Sequence, residues 1–217
     1  MIPQHPLPSL FVLGDSISIH YGPYLQKASK GFLQYDRKQG ASGVEENNMD
    51  VATGANGGDS SMVLAYLKQR NSSAPLRSQF LLLNCGLHDI KLSLDTGQPQ
   101  IPLANYEKNL RAILRETDRL PTTLIWVRIT PVIDEIHNTR CPSFRRTAQD
   151  VHAYNQVADQ VMAAHPILDL HQFSAQFGPE AFLDHIHFVP AVREKQGTFI
   201  AEYLHNLVKA CSSDPNF

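Results

Sequence analysis

The chain has 217 residues, 42% of them hydrophobic and 18% charged, a balance that excludes disorder and supplies enough chain to bury a core without disulfides or metals. Nineteen basic residues against 21 acidic ones give a net charge of −2, so no basic field exists to draw in nucleic acid or an anionic membrane. At roughly 150 residues per domain, one domain over residues 1–217 is expected. Three cysteines, Cys85, Cys141 and Cys211, are odd in number and too far apart for a disulfide framework or a zinc site, which points to free thiols in a reducing compartment. No run approaches the roughly 18 apolar residues of a membrane span. Met1–Pro8 holds three prolines, no lysine or arginine and no apolar stretch, so no signal peptide is expected and a cytoplasmic location follows.

In chain order, Leu10–Leu13 is an apolar run that stops at Gly14, a candidate buried strand. A second strand is expected between Phe32 and Ala52, with boundaries blurred by glycines. Asp59-Ser60-Ser61 supplies N-cap residues for a helix that begins near Met62. Phe80–Leu83 is the next strand, followed by a helical stripe through Tyr106, Leu110, Ile113, Leu114 and Thr117. Leu124–Ile129 is a strand closed by Thr130-Pro131. Val151, Tyr154, Ala158, Val161 and Met162 form another stripe, and Ile167–Leu170 a short strand. Phe199, Ile200, Tyr203, Leu204, Leu207, Val208 and Cys211 mark a C-terminal helix. Strands separated by helices imply β-α-β units and a parallel sheet covered on both faces. In such sheets the working residues lie in loops beyond the carboxyl ends of the strands. Those loops are 14–18, 53–61, 86–102, 131–144 and 171–190.

The first loop reads Gly14-Asp15-Ser16. A serine there sits at a helix N-terminus, whose free N–H groups and dipole favour the negative charge that its attack would create. The last reads Asp184-His185-Ile186-His187. An Asp three residues before a His in a tight turn can reach its Nδ1, leaving Nε2 to face a serine, the general-base arrangement. Between them, Asn56-Gly57-Gly58-Asp59-Ser60 opens a helix and could aim a glycine N–H at an oxyanion, and Cys85-Gly86-Leu87-His88-Asp89 places polar side chains at a strand end.

With these residues the sequence resembles the GDSL/SGNH hydrolase family of serine esterases and acylhydrolases, whose four blocks occur in order from Leu13 to Phe188. The resemblance implies a three-layer α/β/α fold with a flavodoxin-like parallel sheet. It implies Ser16 as nucleophile and first oxyanion donor, Gly58 as second donor with Gly57 as its fallback, and Asp184 and His187 as the remaining triad members. The third block, Gly-x-Asn-Asp in the family, reads Gly86-Leu87-His88-Asp89, so His88 stands where the oxyanion-binding asparagine is expected. A neutral imidazole keeps one N–H and can donate in its place. After His187 the family's glycine-aromatic pair is replaced by Val189-Pro190-Ala191.

The expected function is hydrolysis of a short-chain carboxylic ester, such as an O-acetyl carbohydrate, with no cofactor and no metal. The substrate is then the only partner, a small molecule or carbohydrate, with no nucleic acid and no membrane. The segment Val132–Phe144, with His137 and Arg140, is the candidate substrate loop because it follows a strand's carboxyl end. Two other readings compete. Asp169, His171, His185 and His187 form an Asp-x-His and a His-x-His that could serve a metal-dependent hydrolase. His88 could instead mark a catalytically impaired binding module. Neither a Gly-x-Gly-x-x-Gly, a P-loop nor a Gly-x-Ser-x-Gly elbow is present.

Overall fold

The computed structural model describes residues 6–40 and 48–212, with side chains to residue 210. Five strands, β1 (Ser9–Leu13), β2 (Gln34–Arg37), β3 (Phe80–Leu83), β4 (Thr123–Val127) and β5 (Ile167–Leu168), form one sheet in the order β2-β1-β3-β4-β5. All four pairings are parallel, with Leu10 opposite both Tyr35 and Phe80, Leu81 opposite Leu124 and Trp126 opposite Ile167. The central strands β3 (FLLL) and β4 (TLIWV) are buried on both faces except at Thr123, which is why they read as unbroken apolar runs. β2 is an edge strand with the sequence QYDR and no fully buried residue, so its hydrophobic signal is weak and its position within 32–52 was open.

Among the described residues seven helices cover the sheet: α1 (Ser16–Ala28), α2 (Ser60–Ser73), α3 (Leu103–Thr117), α4 (Asp134–Arg140), α5 (Ala148–Val161), α6 (Leu170–Ala175) and α7 (Pro190–Ser212). The strand order steps outward from β1 in both directions, so right-handed crossovers put α1 on the face opposite α2, α3 and α5. The contacts agree: α1 packs on α7 and α7 on α6, while α3 packs between α2 and α5. The stripes predicted for α3 and α5 are the buried ones, with Tyr106, Leu110 and Ile113 and with Val151, Tyr154 and Ala158 facing the core. This is the three-layer, flavodoxin-like arrangement expected from the sequence.

Two strand ends differ. β4 ends at Val127 rather than Ile129, and β5 ends at Leu168 because Asp169 caps α6 through Gln172 N (2.9 Å). The segments read as open loops after β4 and β5 contain α4, α6 and a short 3-10 turn, Pro179–Ala181; elements of one or two turns are too short to show a period. Cys85 and Cys141 are buried free thiols, and the side chain of Cys211 lies outside the described residues. No helix among the described residues is long and apolar enough to cross a membrane.

Candidate active site

Ser16 is fixed by the way β1 turns into α1. A Cβ on Gly14 would lie 2.0 Å from Asn84 Oδ1 and 2.9 Å from Ser18 Cβ, so only glycine lets the chain pass between the ends of β1 and β3. Asp15 then caps α1: its Oδ1 accepts from Ile17 N (3.0 Å) and its Oδ2 from Asn84 Nδ2 (3.1 Å). Its burial is complete and pushes its pKa up, against the opposing pull of Asn84, the Ile17 N–H, Arg146 and His187. Ser16 follows as the first residue of the helix, 5% exposed, and its own N–H donates to no group among the described residues. That orphan donor at a helix N-terminus suits a developing anion.

The opposing residues come from the turn between β5 and α7. Phe182 and Phe188 pair across it, and Leu183 N donates to His187 O (2.7 Å). Asp184 Oδ1 accepts from the N–H groups of Ile186 (2.8 Å) and His187 (2.7 Å), and Oδ2 accepts from His187 Nδ1 (2.7 Å). With Nδ1 donating, Nε2 is the bare nitrogen, 2.9 Å from Ser16 Oγ. Burial by itself would raise the pKa of Asp184, but the His187 side chain and those two backbone donors outweigh it and hold the carboxyl well below the ordinary range. The Val189-Pro190-Ala191 departure has a local cause: Pro190 is the first residue of α7, where a missing N–H costs nothing.

The oxyanion side differs from expectation at the glycines. Gly58 has φ +73°, and a Cβ there would strike Met62 Sδ at 2.6 Å and Ala52 Cβ at 2.7 Å, so glycine is required. Its N–H, however, donates to Asn56 Oδ1 (3.0 Å), and that of Gly57 donates to Gly14 O (2.8 Å). Neither glycine donor is unengaged; Gly58 reaches an oxyanion only by sharing its proton with the Asn56 amide. His88 is 3% exposed, its ring makes no hydrogen bond among the described residues, and burial, reinforced by Lys91 and Arg146, pushes its pKa down to about 3. It is therefore a neutral imidazole with an unused N–H. Asp89 next to it does not face the reaction: both its oxygens accept from Ser60 N (3.0 Å each) and one from Ser60 Oγ, which ties β3 to the start of α2. Its burial raises its pKa to about 7 against those bonds.

The substrate-loop residues split. Arg140 Nη1 donates to the backbone carbonyl of Asp184 (3.0 Å), so it braces the triad turn from outside. His137 is fully buried, with Nδ1 donating to His185 O (3.2 Å) and Nε2 without a partner. The four residues of the metal reading do not converge. Asp169 pairs with Arg128, His171 Nδ1 meets Ile129 O (2.9 Å), and His185 Nε2 meets Asp50 Oδ1 (3.1 Å). No three His, Cys, Asp or Glu side chains among the described residues are placed to share an ion.

Several neighbours carry no motif. His20, one turn along α1 from Ser16, sets its ring edge-on to His187 at 4.8 Å, and burial and the nearby His187 push its pKa down to about 4. Asp50, Lys91, Phe144 and Arg146 gather beside His185. The spacing from Ser16 to His20 on a helix could have indicated the first; the other four come from three loops and nothing in the sequence joins those loops.

The profile of the GDSL-like lipase/acylhydrolase family matches residues 12–193. No curated protein matches the sequence. Among solved structures, the chain is similar to Est24, a carbohydrate acetylesterase from Sinorhizobium meliloti, with TM-score 0.62 and 10% identity over 92% of this chain and 99% of that one. The psychrotrophic esterase EstA from Pseudoalteromonas sp. aligns with TM-score 0.61 and 13% identity over 93% and 98%. The C-terminal catalytic domain of the peptidoglycan O-acetyltransferase OatA from Streptococcus pneumoniae gives 0.58 and 14% over 97% and 98%. At these identities the likeness establishes the fold.

Proposed function

The chain belongs to the GDSL-like lipase/acylhydrolase family and is a hydrolase of ester bonds, and we propose that it works through an acyl-enzyme on Ser16. The observation that carries this is the continuous chain Ser16 Oγ–His187 Nε2 (2.9 Å) and His187 Nδ1–Asp184 Oδ2 (2.7 Å). Ser16 Oγ attacks the ester carbonyl as His187 Nε2 takes its proton, and the imidazolium returns that proton to the leaving alcohol. Asp184, ionised and held by two backbone N–H groups, fixes the imidazole and stabilises its cation. The Ser16 N–H and the neutral His88 ring hold the oxyanion, with Gly58 contributing by a shared proton. Water then cleaves the acyl-enzyme with His187 as base.

The acyl group we propose is short, an O-acetyl on a carbohydrate. Ser16 is almost wholly enclosed, and two proteins of similar fold are a carbohydrate acetylesterase and a peptidoglycan O-acetyltransferase, a fold-level analogy. Wild-type protein should take a fluorophosphonate label that Ser16→Ala does not, with ester turnover falling about 10⁶-fold; turnover that survives in Ser16→Ala removes the serine mechanism. Acetyl and butyryl p-nitrophenyl esters should show higher kcat/KM than decanoyl, and a steady rise out to long chains would favour a lipase-like role.

A further inference from the structure

Arg146 is 2% exposed, yet it uses little of its hydrogen-bonding capacity. Of the five guanidinium donors, only Nε has a partner among the described residues, Leu87 O at 2.7 Å. Nη1 is buried with no partner, and no carboxylate among the described residues forms an ion pair with it. Its guanidinium lies 4.8 Å from the centre of the Phe144 ring, and Lys91 Nζ lies 4.9 Å from the same centre. Lys91 in turn donates only to a backbone carbonyl, Asp50 O (2.5 Å). Two cations therefore share one aromatic ring, and a buried cation is ordinarily paired.

The place of this cluster connects it to the reaction. Leu87, the acceptor for Arg146, immediately precedes His88. Phe144 stacks edge-on to His185 at 6.1 Å, and His185 to His187 at 6.0 Å. We propose that Arg146 and Lys91 form a subsite for an anionic group on the ester substrate, a carboxylate or a phosphate; this rests on the reading of Ser16, Asp184 and His187 as the hydrolytic site. The planar guanidinium presents its Nη donors in the fork that matches such oxyanions. The electrostatics point the same way: burial outweighs the attraction of Asp50, Asp15 and Asp184 and lowers Arg146 to about 10, and burial together with Arg146 outweighs Asp50 and lowers Lys91 to about 8. An arriving anion relieves both.

The test compares mono-O-acetyl methyl glucuronide and mono-O-acetyl glucose 6-phosphate with the neutral mono-O-acetyl methyl glucoside, with p-nitrophenyl acetate as a reporter of the triad alone. In wild type at least one charged ester should exceed the neutral one in kcat/KM by about tenfold, and which one does so separates carboxylate from phosphate. Arg146→Gln should collapse that ratio, and Lys91→Gln should reduce it less. Equal kcat/KM for all three sugars, or a ratio unchanged in folded Arg146→Gln, overturns the subsite. Should Arg146→Gln fail to fold, Lys91→Gln and inhibition of wild-type p-nitrophenyl acetate hydrolysis decide. Competitive inhibition by free glucuronate or inorganic phosphate, but not by chloride at equal ionic strength, supports the subsite, and its absence overturns it. Loss of p-nitrophenyl acetate turnover and of fluorophosphonate labelling in wild type would overturn the hydrolytic reading instead.

Discussion

On the wall that carries Ser16, Asp184 and His187, every polar side-chain atom of the triad has a partner within 2.9 Å, and Asp184 accepts three hydrogen bonds. On the wall built by the loops after β2, β3 and β4, the pattern is reversed. His88 has an unused ring N–H, His137 Nε2 and Arg146 Nη1 are buried without partners, and the two glycine N–H groups are turned onto protein acceptors. A buried polar group left unsatisfied costs about 1–3 kcal/mol, so a fold retains several together only where something else repays the loss. The first wall has its polar atoms paired with one another, and the second keeps polar atoms without partners, the His88 ring N–H and Arg146 Nη1 as donors and His137 Nε2 as an acceptor. The difference locates the places where substitution should act on the chemical step and those where it should act on what the site receives.

The sharpest break in the comparison comes from Asp184→Asn. An amide cannot accept from both backbone N–H groups and His187 Nδ1 while favouring the correct imidazole tautomer, so kcat should fall about 10⁴-fold, as in other triads. His185→Ala removes the contact to Asp50, a longer approach of 3.8 Å to Asp184 and ring contacts to His137, Phe144 and His187, but no hydrogen bond of Ser16, Asp184 or His187, and should cost about tenfold or less. Single-turnover acylation rates for the two variants check this. Equal damage would mean that His185 belongs to the reacting wall.

The two walls also differ in how they could be read from sequence. Gly14-Asp15-Ser16 and Asp184-x-x-His187 act over three or four residues, so the chain itself fixes their geometry and the motif carries the information. The parallel sheet was legible for the same reason, since β1, β3 and β4 are buried runs whose composition records their burial. Arg146 was not. An isolated pairing of Leu92 with Arg145 sends consecutive side chains to opposite faces, so Arg145 braces the Cys141 and Phe144 carbonyls while Arg146 turns to the Leu87 carbonyl and the Phe144 ring. Adjacent arginines of identical composition give no sign of this. Asn56 was equally silent, because its claim on the Gly58 proton depends on a turn that a run of loop-forming residues does not specify.

His88 sharpens the comparison at a smaller magnitude. If the ring is an oxyanion donor, His88→Ala should lower kcat about 10²–10³-fold with little change in KM, and His88→Asn should keep most of the activity. The pH profile carries the second half of the argument. Burial places the His88 pKa near 3 and that of His20 near 4, both below the assay range, so neither changes charge between pH 5 and 9. The pH–rate profile should therefore show no falling limb that depends on His88. A bell-shaped profile in wild type that becomes a plateau in His88→Asn would show that a charged His88 is the working form.

The smallest expected effect belongs to Arg140, which stands between the two walls. Its position in the loop after β4 marks it as a substrate contact, but its guanidinium donates to the backbone carbonyl of Asp184 at 3.0 Å and it is exposed to solvent. An exposed hydrogen bond of this kind is worth about 0.5–1.5 kcal/mol. Arg140→Ala frees the outer side of the turn while Asp184 keeps its three acceptor contacts, so the loss should reach the chemistry only as a slightly less well-aimed His187. Because about 1.4 kcal/mol corresponds to tenfold in rate, kcat should fall between about two- and tenfold, equally for acetyl esters of different alcohols, with KM unchanged. Arg140→Lys, which can still reach a carbonyl, should recover part of it. A contact with substrate would behave otherwise: KM would rise, by amounts that depend on the alcohol, and kcat would hold. Measuring kcat and KM separately for two alcohols in Arg140→Ala distinguishes a brace for the triad from a member of the receiving wall.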